Sequence, residues 1–504
     1  MSRLLALLVL FAAAPALGQP ALLQTLTDPN PTPGSQFGSA VALSGDYIVV
    51  GEPGEAGAIG RAFVFVREAG ADTWTLDEQL VPSSLETGGE FDPAFGAATD
   101  FDGTEVLIGA PYESEGEINS GAAYVFRRDD AMGDWLDVAK LKAPTPALEE
   151  QFGAAVAISD ATAAVGAFAN DAAGDEAGAV FLYTRDASGA WSFAQQLTAA
   201  DAGPGERFGF SVALRGDVLV VGLFNEIVPD SPGAAYVFER DGDGTWQQVQ
   251  KLSPDAVEPN DRFGFDVATD GTAIFVGAPL STPNEQGAAY VFERTGAGAT
   301  PWVQAFRLIS VAPQDNAQFG TSVSVEGDRA AVGAPLDGTD VAAGAVYTFD
   351  RENGVWAPEN RLSVAGLEET ALFGNDVALR DGLTVVGSPD ADGDAEDTGA
   401  AFVFALTTTA AEDDTAPDAF GLGVPFPNPV RSIATIPYTL DDAGDVALTA
   451  FDVLGREVAV LDAGRRPAGS GSVTWATRGL PAGVYFVRLT DGERTATRKV
   501  LVIR

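Results

Sequence analysis

The chain has 504 residues, with 29 basic and 72 acidic side chains, no Cys, no His and a formal charge of −43. Missing Cys and His exclude thiolate chemistry, Ser-His-Asp triads and ordinary zinc sites. The acidic surplus repels nucleic acid and anionic membrane and favours cations or basic partners, and a chain this long calls for several units rather than one core.

In chain order, Met1 to Gly18 comes first, with Arg3, an apolar run from Leu4 to Leu17 and small residues at Ala16 and Gly18. This is the pattern of a secretory signal peptide over 1–18, too short for a membrane span. No later segment reaches the roughly 18 uninterrupted apolar residues that a spanning helix needs. The expectation is an exported chain with no transmembrane segment, soluble or held at a surface by something other than a helix of its own, whose packing does without disulfides.

A Phe-Gly pair then recurs seven times at a spacing of about 56 residues, the mark of a repeat architecture. The pairs are Phe37-Gly38, Phe95-Gly96, Phe152-Gly153, Phe208-Gly209, Phe263-Gly264, Phe319-Gly320 and Phe373-Gly374. In the fourth unit the apolar run Phe208–Leu214 meets the turn Arg215-Gly216-Asp217 and a second run, Val218–Gly222. After a variable loop come Gly233–Arg240, the turn Asp241–Gly244 and the alternating segment Trp246–Leu252. These read as four strands, the first three covered on both faces and the last an edge.

Four antiparallel strands repeated seven times predict an all-β fold, a seven-bladed β-propeller over 19–406. Trp74, Trp135, Trp191, Trp246, Trp302 and Trp356 serve only six units, and the last unit ends at Phe404 without its Trp strand. Leu22–Thr27 resembles Gln195–Thr198 and precedes the first Phe-Gly at the matching distance. The N-terminal strand is therefore predicted to complete the seventh blade and close the ring.

The unit resembles the FG-GAP family of β-propeller repeats, found in integrin α-chain heads and in secreted bacterial proteins. The resemblance is carried by the Phe-Gly pairs and by Gly-Ala-Pro at 109–111, 277–279 and 333–335, with variants Gly51-Glu52-Pro53 and Gly387-Ser388-Pro389. A Phe filling the gap between blades and a Gly allowing close backbone approach explain both positions physically.

Family members that bind calcium do so in an Asp/Asn-rich loop between the first two strands. Here those places hold tight turns, Ser44-Gly45-Asp46, Arg215-Gly216-Asp217, Glu326-Gly327-Asp328 and Arg380-Asp381-Gly382, with too few oxygens to enclose a cation. Arg215-Gly216-Asp217 occupies an ordinary turn and is not read as an adhesion tripeptide. The richer candidate for calcium is the loop carrying Asp390, Asp392, Asp394 and Asp397, with alternating carboxylates; Ala395 stands where the EF-hand pattern wants Gly and no Glu stands at its twelfth place, which favours a solvated acidic loop over a calcium site. Asn170-Asp171 with Asp175-Glu176 is a weaker version in the third unit.

Residues 420–504 hold ten basic and eight acidic side chains, which leaves 18 basic and 64 acidic between 20 and 419. About half of those 64 fall in the second-to-third loops and the inter-blade connections, which emerge on one face. That face is the expected binding surface for an extracellular protein or glycan. Catalysis would have to rest on carboxylates, as in propeller glycosidases. Asp241–Trp246 only loosely matches the Asp-box turn of sialidases and occurs once.

A polar linker over 407–419 precedes a last unit over 420–504, whose short strands predict a small Ig-like β-sandwich. This unit resembles the type A C-terminal sorting domain of the type IX secretion system. The matching residues include Pro427-Asn428-Pro429, the Asp452–Val458 stretch with Gly455, Gly479–Tyr485 with Gly483 and Tyr485, and the closing run with Lys499. The resemblance implies type IX machinery as a partner and a destination at or beyond the outer membrane of a Gram-negative bacterium.

Overall fold

The computed structural model describes residues 20–54, 59–86, 92–129, 131–223, 231–254, 258–281, 284–294, 301–310, 314–338, 343–352, 354–392, 397–406, 421–422, 430, 433–440, 443–452, 456–480, 483–491 and 494–502. The chain divides into two compact units, on either side of the Leu406–Thr407 bond. No helix among the described residues is long and apolar enough to cross a membrane.

The larger unit is all-β. Among the described residues it holds seven four-stranded antiparallel sheets, six of them in the sequential order of a meander. The first comprises Ala40–Ser44, Tyr47–Glu52, Arg61–Arg67 and Trp74–Leu80. Its two middle strands are buried almost throughout, while the outer strand buries Trp74 and Leu80 and exposes most of what lies between. A strand covered on both faces must be continuously apolar, and the half-covered edge alternates.

Each innermost strand packs on the next, and the innermost strand of the seventh sheet packs on that of the first, so the sheets form a ring of propeller type. The seventh sheet takes its outer strand from the N-terminus. Leu22–Leu26 pairs antiparallel with Ala400–Ala405, with Leu26 opposite Ala401 and Thr25 opposite Phe402. Between this sheet and the first, Gln24 accepts from the Trp74 N–H at 2.6 Å and donates to its carbonyl at 2.7 Å. Gln195 does the same to Trp246, and Gln250 to Trp302. The junction of the seventh sheet with the first is thus made like the others, and the ring closes without a covalent link at the pairing of Leu22–Leu26 with Ala400–Ala405.

The Phe-Gly pairs differ from the expectation in one respect. Only in the fourth sheet does the innermost strand start at the Phe, as Phe208–Arg215. Elsewhere the strand begins a few residues later, and in all seven units the Phe forms a single parallel bridge to the Gly that opens the third strand of the preceding sheet, as in Gly60 with Phe95. Its ring stacks on two aromatic residues of its own sheet, Phe95 on Tyr124 and Phe126 at 5.7 and 6.1 Å. The pair is a junction between sheets before it is part of a strand.

Gly-Ala-Pro is the other half of that junction. Gly38 holds φ 91°, and a Cβ on it would overlap the carbonyl of Ala400 in the seventh sheet. A Cβ on Gly387 would overlap the carbonyl of Gly38 in turn. Only a residue without a side chain fits either place.

The smaller unit packs two sheets on one core. Glu457–Arg466, Gly444–Asp452, Gly483–Thr490 and Thr495–Val502 form one; Gly421–Leu422, Ile433–Leu440 and Gly469–Ala476 form the other. Leu422, Ile436, Leu448, Trp475, Tyr485 and Val487 fill the space between them.

Candidate functional site

On one face of the larger unit the second-to-third loops meet the connections between sheets. Backbone hydrogen bonds lock each loop to the neighbouring connection: Glu149 N–H to Ile118 O, Gly205 N–H to Asp175 O, and Asn316 N–H to Asn284 O. Solvent reaches Glu117, Asp171, Glu258, Asp315, Glu369 and Asp392 on this face.

Beneath these loops lies a set of polar spokes that the sequence reading missed. Tyr124, Tyr236, Tyr290 and Tyr347 occupy equivalent places in the third strands and are fully buried. A basic residue of the outer strand lies over each ring, Lys140 at 5.4 Å, Lys251 at 5.0 Å, Arg307 at 5.8 Å and Arg361 at 5.9 Å. In three cases a loop carboxylate accepts from both. Glu113 takes the hydroxyl of Tyr124 at 2.6 Å and the ammonium of Lys140. Asp201 serves Tyr236 and Lys251 at 2.9 and 2.7 Å, and Asp337 serves Tyr347 and Arg361. Burial and then the neighbouring carboxylate push these three hydroxyls above the usual phenol range.

Sheets with Phe at that place (Phe63, Phe181, Phe402) carry Gln79, Gln196 and Thr25 instead of the base. That co-occurrence was the available signal. Chemically the spokes fasten loops to the outer strand, since every acceptor and donor named is already engaged.

The opposite rim is acidic too, with Asp46, Asp134, Asp160, Asp186, Asp217 and Asp243 exposed. Its Arg residues are spent on packing and pairing: Arg294 lies 4.6 Å over Trp302 and pairs with Glu239. Arg351 pairs with Glu293 at 2.7 Å. What distinguishes the loop face is its variable loops rather than its charge.

The innermost strands surround an axial channel of about 490 Å³. Of the carboxylates that line it, Asp100, Asp266 and Asp376 tie neighbouring sheets together. Each accepts the next residue's N–H and one from the following sheet, Ile158 N–H at 2.7 Å, Val323 N–H at 2.7 Å and Val41 N–H at 2.7 Å. Innermost strands have no ladder partner on the channel side, so these side chains satisfy edge donors that burial would otherwise strand. Burial raises Asp100 to about 6, Asp376 to about 6 and Asp266 to about 7, with the Asp376 charge adding to the last.

In the candidate calcium loop, Asp392 accepts the Asp397 N–H at 3.0 Å and its own N–H donates to Glu368 at 2.6 Å. Asp390 lies beside it, and Asp394 falls outside the described residues. Among the described residues no group of three or more carboxylates is gathered for a metal ion. Asp171 Oδ1 accepts from Glu176 N–H at 2.8 Å, closing its own loop.

Of the sorting residues, Tyr485 is buried against Trp475 at 5.7 Å, and Gly483 and Lys499 lie in the last two strands, opposite Val502 and Phe486. Pro427, Asn428, Pro429 and Gly455 lie outside the described residues.

A ring of four-stranded sheets joined by Phe-Gly and Gly-Ala-Pro junctions defines a repeat protein of the propeller class. The FG-GAP repeat family matches residues 22–65, 74–126, 135–183, 191–238, 246–292 and 302–349, and the chain belongs to it. The secretion system C-terminal sorting domain family matches 425–503, so the chain carries the address of the type IX system, which exports to the cell surface or the extracellular space.

No curated protein matches the chain in sequence. Among solved structures it is similar to PorZ, a bacterial surface component of the type IX secretion system of Porphyromonas gingivalis, at 13% identity over 95% of this chain, with TM-score 0.43. The chain spans 61% of the PorZ chain. It is also similar to Sqt1 of Saccharomyces cerevisiae, at 12% identity over 78% of this chain and 100% of that one, TM-score 0.40. A copper-bound fungal alcohol oxidase gives 13% identity over 97% and 100%, TM-score 0.44.

Proposed function

We propose that the chain is an exported binding or adhesion module. In this reading residues 1–18 are a signal peptide, 19–406 a seven-bladed β-propeller, 407–419 a linker and 420–504 an Ig-like sorting domain. The observation that carries it is the pairing of a type IX address with a ring of sheets whose variable loops, and not its repeated residues, present exposed carboxylates. Such a face selects a basic extracellular protein or a cation-bridged glycan.

Catalysis is not part of the proposal. The channel carboxylates with the most altered acidity are each held by two backbone N–H groups, which fixes them as strand clamps. Calcium on the loop face would draw on Asp390, Asp392, Asp394 and Asp397. Heat of binding and a higher melting temperature in millimolar calcium support that version, and the lack of both removes it.

The test is binding of the full chain to an array of extracellular proteins and glycans at low and high salt. The expected result is a basic or cation-dependent partner whose binding weakens with salt. Turnover of a glycan, abolished by one carboxylate substitution, would replace the reading with that of a carbohydrate-active enzyme.

A further inference from the structure

One junction departs from the repeat. Where the second and third strands meet near the loop face, the paired positions hold small or apolar residues: Ala110 opposite Ala122, Ala278 opposite Ala288, Ala334 opposite Ala345 and Ser388 opposite Ala400. In the first sheet the pair is Glu52 opposite Arg61. Glu52 is 1% exposed. Its Oε1 accepts from Arg61 Nη2 at 2.5 Å, and the same nitrogen lies 2.8 Å from Asp28 Oδ2.

The second oxygen, Glu52 Oε2, accepts no hydrogen bond. Ser35 is near enough to soften the burial of the carboxylate, but its hydroxyl donates to Thr398 O at 3.2 Å. An unpaired buried acceptor is costly and calls for an explanation.

The carboxylate lines a cavity of about 570 Å³. Its other wall is apolar, from Leu80, Val81, Pro82, Leu85 and Ile59, of which Val81 is 65% and Ile59 51% exposed. The volume lies in the usual range for small-ligand sites, which combine an apolar wall with few polar groups. Burial raises Glu52 to about 7, and a cation beside it would favour its charged form.

We propose that this cavity is a binding site for an alkylammonium group, a primary amine on a short apolar chain such as a lysine side chain presents. The ammonium donates to Glu52 Oε2, and the methylenes lie against Val81, Pro82 and Ile59. A purely structural tie, fastening the chain after the closing strand through Asp28 to Arg61, accounts for the ion pairs. It does not account for the free oxygen or the uncovered apolar wall. The site stands apart from the macromolecular reading of the loop face, and neither needs the other.

The probe is hexylammonium, with hexanol and hexanoate as controls, followed by saturation-transfer NMR on the full chain in 0.3 M salt, on the order of what screens exposed charge. Saturation of the hexylammonium methylenes is expected, with binding at least tenfold weaker in Glu52→Gln. The same loss is expected in the double variant Glu52→Ala with Arg61→Ala, which restores the Ala pair that other junctions fold with. Hexylammonium binding unchanged in both variants would place it elsewhere on the acidic body and overturn the proposal. So would stronger binding of hexanoate, which would make Arg61 the anchor, or no binding at all.

Discussion

The closing seam can be probed with one methyl-bearing side chain. Leu26 ends the N-terminal strand 2% exposed, in a core shared with Phe37, Phe63, Trp74 and Val403. Leu22, on the same strand, is 42% exposed. Leu26→Ala removes a buried isobutyl group from a seam that chain connectivity does not hold, at a loss of about 3 kcal/mol. Leu22→Ala should stay within about 0.5 kcal/mol. Unfolding entropy of about 2.1 cal/mol/K per residue, over the roughly 385 residues from Leu22 to Leu406, amounts to about 0.8 kcal/mol/K. Leu26→Ala should therefore lower the melting temperature by about 4 °C, read by tryptophan fluorescence, since Trp74 sits in the same core. Hydrogen exchange should show Phe402 and Phe404 losing protection. Equal effects of the two substitutions would refute closure by this strand.

Further predictions follow from the junctions and the channel. Phe152→Ala, at a fully buried ring that stacks on Phe181 and Tyr183, should cost about 3–5 kcal/mol in urea unfolding; a loss below about 1 kcal/mol would deny the Phe its place between sheets. The channel carboxylates titrate near 6, 7 and 6 when folded but near 3.9 in an unfolded chain, so the folded state binds their protons more tightly. Stability should rise as pH falls from about 8 to 5. Below that the gain levels off, and carboxylates held low by lysine, Asp201 beside Lys251 and Glu115 beside Lys140, begin to lose theirs. Asp266→Asn should flatten the rise in melting temperature across pH 8 to 5; a melting temperature that falls over this range would contradict the assignment.

Much of the ring was legible because its constraints are local and repeated. A Phe that fills a gap and a Gly that admits a carbonyl leave the same letters at every junction, and the missing seventh Trp strand pointed to Leu22–Leu26. The role of the Phe as a bridge to the preceding sheet was not legible, because a lone parallel bridge has no periodicity of its own. The channel clamps were hidden for a related reason. Asp266 and Asp376 share a repeat position, but Asp100 sits two residues further along its strand, so no common letter marks the set. Glu52 and Arg61 were visible as deviations from Gly-Ala-Pro and Gly-Ala-Ala, yet only the strand register shows that they face each other.

The most direct measurement of the account is the location of the protein in cells that make it with and without residues 420–504. Surface labelling of intact cells, or recovery from the medium, is expected for the full chain, and retention in the periplasm for the truncated one. Equal export of both would contradict the claim that this domain delivers the propeller to its site of action.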